Sequence, residues 1–379
     1  MPAVISALAV APAPAVTDYA NHLADAPVEL PEGFPEVLDG PMAWTGSQFM
    51  DQSDYIYTLS ESDLQETENA LWYFKTRGLD GDLISRDNFP LPILGSRLDK
   101  IRRDIYHGKG FGLIRGLDPQ KYSTEDLTLL YLGIQSYIAN RNGRQDGKGN
   151  MLVHITADSS SKLKAGHHRH STASITFHNE EAGDVISWLT RSTAAAGGKC
   201  IIASAYTVYN LLAASRPDLI NALAQSDWPF TMPHFQHRPV LFHHEGKVII
   251  NLNRVALTGS AVHPRSSSLP CVSPRQLEAL DAIESIAEAV QLEIGTQAGD
   301  MHFVNNLTIL HRREGFVNGK TIDERRHLVR MRLRDDDLSW KLPEDLRQEW
   351  SAAFDETAPK IWHLEPMPDG FFPLRSQAN

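Results

Sequence analysis

From Met151 onward the chain breaks into short apolar runs, MLVHIT, ASITFH, DVISWLT, KCIIAS and then PVLFHHEGKVIINLN, one after another. Each run has the length and the β-branched or aromatic content of a strand. Short strands at this density restrict the architecture to a barrel or jelly roll. Within the last run, Glu245-Gly246 marks a hairpin turn.

Helical periodicity frames these strands. A helix is predicted to open at Ser62, with Gln65 completing a capping box, and to stop at Gly78; Leu64, Leu71 and Phe74 form its apolar stripe. Further helical patterns run from Ser96 to Tyr106 and from Ser123 to Ile138, with a buried strand, Phe111 to Leu117, between them. A helix around Val208 to Leu223 and another from Ser273 to Leu292 interrupt the strands. In the second, Ser273 caps, Pro274 takes the first helical position and Gln276 completes the box. The fold class expected is α+β with a mainly β core. Residues 1–60, rich in Pro and Ala, read as an irregular N-terminal extension, and 61–379 as a single catalytic domain whose β core spans about 110–335.

Composition narrows the partners. The net charge is −11 with no basic block, which argues against nucleic acid or an anionic membrane surface. No apolar run approaches the roughly 20 residues that cross a bilayer. The apolar N-terminus lacks the basic start of a targeting signal. With Cys200 and Cys271 as the sole cysteines, a disulfide framework is not expected and a reducing, cytoplasmic location is. Oligomeric state is left open.

A histidine followed two residues later by a carboxylate, with a second histidine far downstream, is the ligand pattern of a facial triad for Fe(II). Residues i and i+2 of a strand share a face, so both can reach one ion. Chance alone supplies about two such triplets in this composition, and the chain has three. His243-His244-Glu245 falls on the hairpin turn, and His363-Leu364-Glu365 has no histidine after it. His178-Asn179-Glu180 ends a predicted strand and has His311 downstream, so it is the expected metal triplet; the competing reading makes His178 a core histidine and Glu180 a loop carboxylate.

The blocks FHNEEAGD, GGKCIIASAYTVYNLL, GDMHFVNNLTILH and RRHLVRMR, in this order, resemble the taurine dioxygenase and clavaminate synthase-like branch of Fe(II)/2-oxoglutarate-dependent oxygenases over roughly residues 110–335. The resemblance implies a double-stranded β-helix of the jelly-roll, cupin-like kind. It also implies Fe(II) held by His178, Glu180 and His311, with 2-oxoglutarate and O2 as cosubstrates. By the same resemblance Arg326 clamps the distal carboxylate of 2-oxoglutarate, and Arg330, on the same strand face, assists it or holds an anionic substrate. A guanidinium suits this role because it pairs bidentately and stays charged when buried. Cys200 stands where relatives place a hydroxyl that bonds the cosubstrate, and a thiol is the weaker hydrogen-bonding group. Arg325, Arg332 and Arg334 are expected on the surface.

Asn150, His154 and Trp188 are candidate substrate contacts, with core packing as the alternative. The cluster His167-His168-Arg169-His170 is read as an active-site lid, and Asn306 as a partner that fixes the ring of His311. The expected reaction is oxidation of an unactivated C–H bond of a small molecule, by hydroxylation, desaturation, ring formation or epoxidation, with release of succinate and CO2. Secondary or small-acid metabolism is the expected setting. A zinc-dependent hydrolase and a non-catalytic β-helix binding scaffold are the rival readings.

Overall fold

The computed structural model describes residues 29–157, 170–260 and 264–366. The larger of two facing sheets runs in the order Ile56–Thr58, Phe111–Arg115, Met301–Asn305, Val185–Ser192, His327–Arg334 and Arg141–Gly143, and Val153–Thr156 also pairs along His327–Arg334. The smaller runs Leu292–Ile294, Cys200–Ser204, Ile309–Arg313 and Ile175–His178. From Leu292–Ile294 on, the strands Met301–Asn305, Ile309–Arg313 and His327–Arg334 alternate between the two sheets, and strands pair with non-consecutive neighbours. This is the winding of a double-stranded β-helix.

Strand alternation divides the side chains of the larger sheet between two cores. Leu189, Met301, Phe303, Val329 and Met331 pack outward under the helices Glu61–Thr76, Leu94–His107 and Thr124–Gln135. Ile186, Trp188, Val304 and Leu328 point inward and meet Cys200, Ile202, Ile294 and Ile309 of the smaller sheet. A third core lies on the far side of the smaller sheet, where Ile201, Ala203 and Leu310 pack among the helices Ala205–Ser215, Pro217–Ala224 and Pro274–Val290. Both sheets are therefore covered on their outer faces, and the gap between them is left for the site.

Local signals placed most elements, and tertiary contacts moved the rest. The hairpin Leu241–His244 with Lys247–Ile250 turns at Glu245 and Gly246, at φ 51° and 72°, the left-handed pair of a two-residue turn. Ser273, Pro274 and Gln276 open their helix as expected. The first helix, however, is capped by Ser60 with Asp63 rather than by Ser62 with Gln65. Asp63 also accepts from the Tyr57 hydroxyl at 2.8 Å and pairs with Arg97 at 3.0 Å, and these contacts select the earlier cap. The expected helix Val208 to Leu223 is two helices, because Pro217 lacks the N–H that would continue the first. Nor does the extension end at residue 60 as a surface wrap: Ile56–Thr58 joins the larger sheet in parallel with Phe111–Arg115, and Trp44 Nε1 donates to the Lys109 carbonyl at 2.7 Å.

Candidate metal and cosubstrate site

Two rows of side chains face each other across the β-helix. In the larger sheet Trp188 is in register with Arg330 on one side and His302 on the other. In the smaller sheet His311 is in register with His178 and Ile202. The Trp188 and His311 rings lie 6.1 Å apart across the gap, and Trp188 stacks on His302 at 4.9 Å. A single pocket is lined by His178, Glu180, His311, Arg326, Arg330 and Trp188, together with Cys200 and Arg313.

His178, Glu180 and His311 present donor atoms all within 4.8 Å of one another. Two metal bonds of about 2.1 Å span up to about 4.2 Å, so a small rotamer adjustment closes the set on one ion. Among the described residues no other group of His, Cys, Asp or Glu does this. His178 Nδ1 donates to the Thr176 carbonyl at 2.9 Å, which puts the proton there and leaves the lone pair on Nε2. His311 Nδ1 is buried without a hydrogen-bond partner. Burial, then the neighbouring His178, pushes the His311 imidazole well below its ordinary range, so it stays neutral, the form a metal binds.

The turn that carries Glu180 is held from behind by two amides. Asn306 Oδ1 accepts from the Glu180 N–H at 2.8 Å, and its Nδ2 donates to the carbonyls of Glu180 and Gly183 at 2.9 and 3.0 Å. The expectation that Asn306 orients the His311 ring is therefore corrected: it orients the carboxylate ligand's backbone. Asn179, between the two ligands, points to the opposite side, donating to the Asn306 and Ile309 carbonyls and accepting from the Leu252 N–H at 3.1 Å. Alternation in the triplet thus sends two side chains to the pocket and one to the core.

Arginines line the pocket along one strand face. Arg330 pairs with Glu180 and donates to Gln145 Oε1 at 3.2 Å. Arg332, expected on the surface, is only 3 % exposed and lies 4.0 Å from the same carboxylate, because the inward face of the strand continues past Arg330. Arg334 is held by Asp184 at 3.1 Å, and Arg325 is exposed as expected. Arg326 is buried, and among the described residues no carboxylate pairs with it. Gly198, at φ 78°, makes room: a Cβ there would sit 3.3 Å from Arg326 Cδ. Arg313 is buried beside it, capping the Ser171 and Ala173 carbonyls through Nη2 while Nε stays without a partner. Burial pulls Arg326 down to about 10 and Arg313 down to about 9, the latter helped by the charge of Arg326. Cys200 lies opposite Arg313 in register, its thiol raised by burial to about 12 and so protonated.

Two candidate substrate contacts lie elsewhere. Asn150 Nδ2 donates to Asp146 at 2.7 Å, and its backbone bridges to Ile361. His154 is buried against His327 at 2.8 Å and the His363 carbonyl at 2.6 Å, so its polar atoms serve packing. Trp188 does line the pocket. Of the histidine cluster, residues 167–169 lie outside the described residues, and His170 bonds the Thr156 carbonyl through Nδ1 at 2.9 Å. Arg313, Gln145 and Asn179 were not singled out from sequence. Arg313 alone carried a signal: it follows His311 by two positions and so shares its face.

A double-stranded β-helix with a His-x-Glu and distal His donor set, facing an inward row of arginines, defines an Fe(II)- and 2-oxoglutarate-dependent dioxygenase. The chain belongs to the taurine catabolism dioxygenase TauD, TfdA family, whose model matches residues 75–332. It is 36% identical over 344 residues to the taurine hydroxylase-like protein SAT17 of Stachybotrys chartarum, covering 87% of this chain and 89% of that one. An asparagine oxygenase solved with Fe(II), 3-hydroxyasparagine and succinate superposes with a TM-score of 0.60 at 18% identity, over 74% of this chain and 93% of that one. The non-heme iron oxygenase OrfP with Fe and α-ketoglutaric acid gives a TM-score of 0.56 at 14% identity, over 79% and 99%. These two share the fold.

Proposed function

We propose that His178, Glu180 and His311 hold Fe(II), and that Arg326 and Arg313 receive the distal carboxylate of 2-oxoglutarate between them. The observation that supports this reading is the meeting, in one pocket with the triad, of two buried guanidiniums that no carboxylate among the described residues neutralises. A buried charge without a partner costs several kcal/mol, and a bound dianion removes that cost. A hydrolytic zinc site would have no use for them.

A loaded site would supply an open coordination face where 2-oxoglutarate and O2 meet, so that loss of CO2 and formation of succinate are coupled to oxidation of a substrate C–H bond. The residues of this chain do the rest. Arg326 and Arg313 set the depth of the cosubstrate, and the Phe316 ring packs against both guanidiniums, 5.4 and 4.9 Å from them. Arg330 steadies Glu180, the carboxylate of the donor set. Trp188, Ile186 and Leu328 exclude water from the pocket. Cys200, a protonated and weak donor, contributes shape more than binding.

The substrate is a small molecule, and no helix of the described residues is long and apolar enough to cross a membrane. We place the enzyme in the cytoplasm, consistent with the unpaired Cys200 and Cys271. The test is anaerobic iron loading followed by 2-oxoglutarate and O2, with succinate as the readout. Succinate formed with Fe(II) and not with Zn(II) is expected; an Fe(II)-loaded protein that never decarboxylates 2-oxoglutarate overturns the reading.

A further inference from the structure

The inward rows of the β-helix do not stop at the metal pocket. Along Val185–Ser192, Ile186 and Trp188 line that pocket, and the next positions on the same face, Thr190 and Ser192, line a second cavity of about 120 Å³. In the neighbouring strand Leu328 is in register with Thr190, as Arg330 is with Trp188. Leu328 and Arg326 line both cavities. The two are therefore successive stations of one groove, with Arg326 at its waist. A strand advances about 3.3 Å per residue, so the Thr190 level lies about 6.6 Å beyond Trp188.

Three features leave the waist open to a longer occupant. In the smaller sheet Cys200 lines the metal pocket, and two positions before it Gly198 lines the second cavity. Gly198, at φ 78°, puts no side chain into the groove; a Cβ there would lie 3.2 Å from Phe316 Cβ and 3.3 Å from Arg326 Cδ and would narrow the passage. Arg326 is tied through its backbone N–H to Asn318 Oδ1 at 3.0 Å, whereas its guanidinium donates to no other described residue and rests on the Phe316 ring, so it can shift along the groove. Among the described residues no carboxylate lines the second cavity, which an anion would otherwise meet with like charge. Thr193 and Thr296 are half-buried in its wall, and their hydroxyls bond no other described residue. Lys199 stands at its rim, paired with Glu293 at 2.8 Å.

We infer that the second cavity extends the cosubstrate subsite, and that the protein takes a 2-oxo diacid longer than 2-oxoglutarate, 2-oxoadipate being the first of the series. The inference rests on the proposed iron and 2-oxoglutarate site, since that is what places a distal carboxylate at Arg326. The keto acid end would stay at the metal donors, and the extra methylene, about 1.2 Å of extended chain, would carry the distal carboxylate past Arg326 toward Thr193 and Thr296. A guanidinium at the waist serves either length, because it borders both cavities and stays charged when buried. The reaction balances as it does for the shorter acid. 2-Oxoadipate, O2 and a substrate C–H give glutarate, CO2 and C–OH, with one atom of O2 in the new carboxylate and the other in the hydroxyl.

The probes are 2-oxoglutarate, 2-oxoadipate and 2-oxohexanoate, the last as long as 2-oxoadipate but with an apolar end. Each is titrated anaerobically into the full chain loaded with Fe(II), following the visible charge-transfer band of an iron-bound 2-oxo acid, and separately into metal-free protein by thermal shift. Absence of the band with 2-oxoglutarate defeats the iron reading alone, because the thermal shift still reads the groove. 2-Oxoadipate is expected to bind within about tenfold of 2-oxoglutarate, a difference of no more than one hydrogen bond. 2-Oxohexanoate is expected to bind about a hundredfold more weakly than 2-oxoadipate, the loss of a charge-assisted pair. Ala194→Trp, at a half-buried position that lines the second cavity without a polar side chain, is expected to weaken 2-oxoadipate by at least about tenfold and spare 2-oxoglutarate. Gly295→Trp at the rim, where a Cβ meets nothing within 4 Å, repeats the test at a site that tolerates a side chain. A response to 2-oxoglutarate with none to 2-oxoadipate, equal responses to 2-oxoadipate and 2-oxohexanoate, or full 2-oxoadipate responses in both variants overturns the inference.

Discussion

Arg313 and Arg326 both pack against one aromatic ring, their guanidinium carbons 4.9 and 5.4 Å from the centroid of Phe316, and neither has a carboxylate partner among the described residues. Two like charges buried side by side destabilise the empty protein and prepare it for an anion. Binding and stability should therefore respond in opposite directions to their removal. Arg326→Met is expected to raise the 2-oxoglutarate requirement by about a hundredfold, the loss of a charge-assisted pair of about 3 kcal/mol. The melting temperature of the metal-free variant should stay level or rise. A marked fall in stability with an unchanged cosubstrate requirement would assign Arg326 to the structure instead.

Removing a metal donor is a different experiment. His311→Ala should abolish iron retention and succinate formation and leave the circular dichroism spectrum unchanged, since His311 hydrogen-bonds nothing through Nδ1. Full activity in this variant would sink the triad.

Asn306 never touches the ion, yet three of its hydrogen bonds fix the Glu180 turn. Outer partners of this kind are worth about 10–100-fold in metal affinity. Asn306→Ala should weaken Fe(II) binding by that order, read by competition with a chelator. Wild-type iron affinity would show that the turn holds itself.

Cys200 is buried and its thiol raised to about 12, whereas Cys271 is exposed. Iodoacetamide on the native protein at pH 8 should label Cys271 alone, with both labelled after unfolding. Cys200→Thr should leave the 2-oxoglutarate requirement equal or lower. A rise would mean that the thiol itself fits the cosubstrate.

The buried pair His154 and His327 ties stability to pH. Burial, the larger cause in both, lowers His154 to about 4 and His327 to about 3, from 6.5. The unfolded chain therefore binds more protons below 6.5, and native stability falls as pH drops from 6.5 toward 4 and 3. At pH 5 each histidine costs about 2 kcal/mol. Urea midpoints at pH 7.5 and pH 5 should show this loss, and His154→Gln should flatten it. Identical midpoints at the two pH values would contradict it.

The sequence by itself determined the strand train, the capped helix at Ser273, the hairpin at Glu245-Gly246 and the order of the four motif blocks, because each is written in local propensity or in spacing along one strand. His178, Glu180 and His311 were legible for the same reason: period-two alternation puts i and i+2 on one face. What local pattern cannot carry is which distant residue stands opposite. Only the pairing of His327–Arg334 and Ile309–Arg313 into facing sheets buried Arg313 beside Arg326, turned Arg332 inward, and packed His154 against His327. The opening feature, a dense run of short strands, specified that such a gap would exist. Its charge pattern, two guanidiniums without a carboxylate partner among the described residues beside three metal donors, arises from register within and between the two sheets, which sets His178 opposite His311, 133 residues away, and register is a property of the folded sheets.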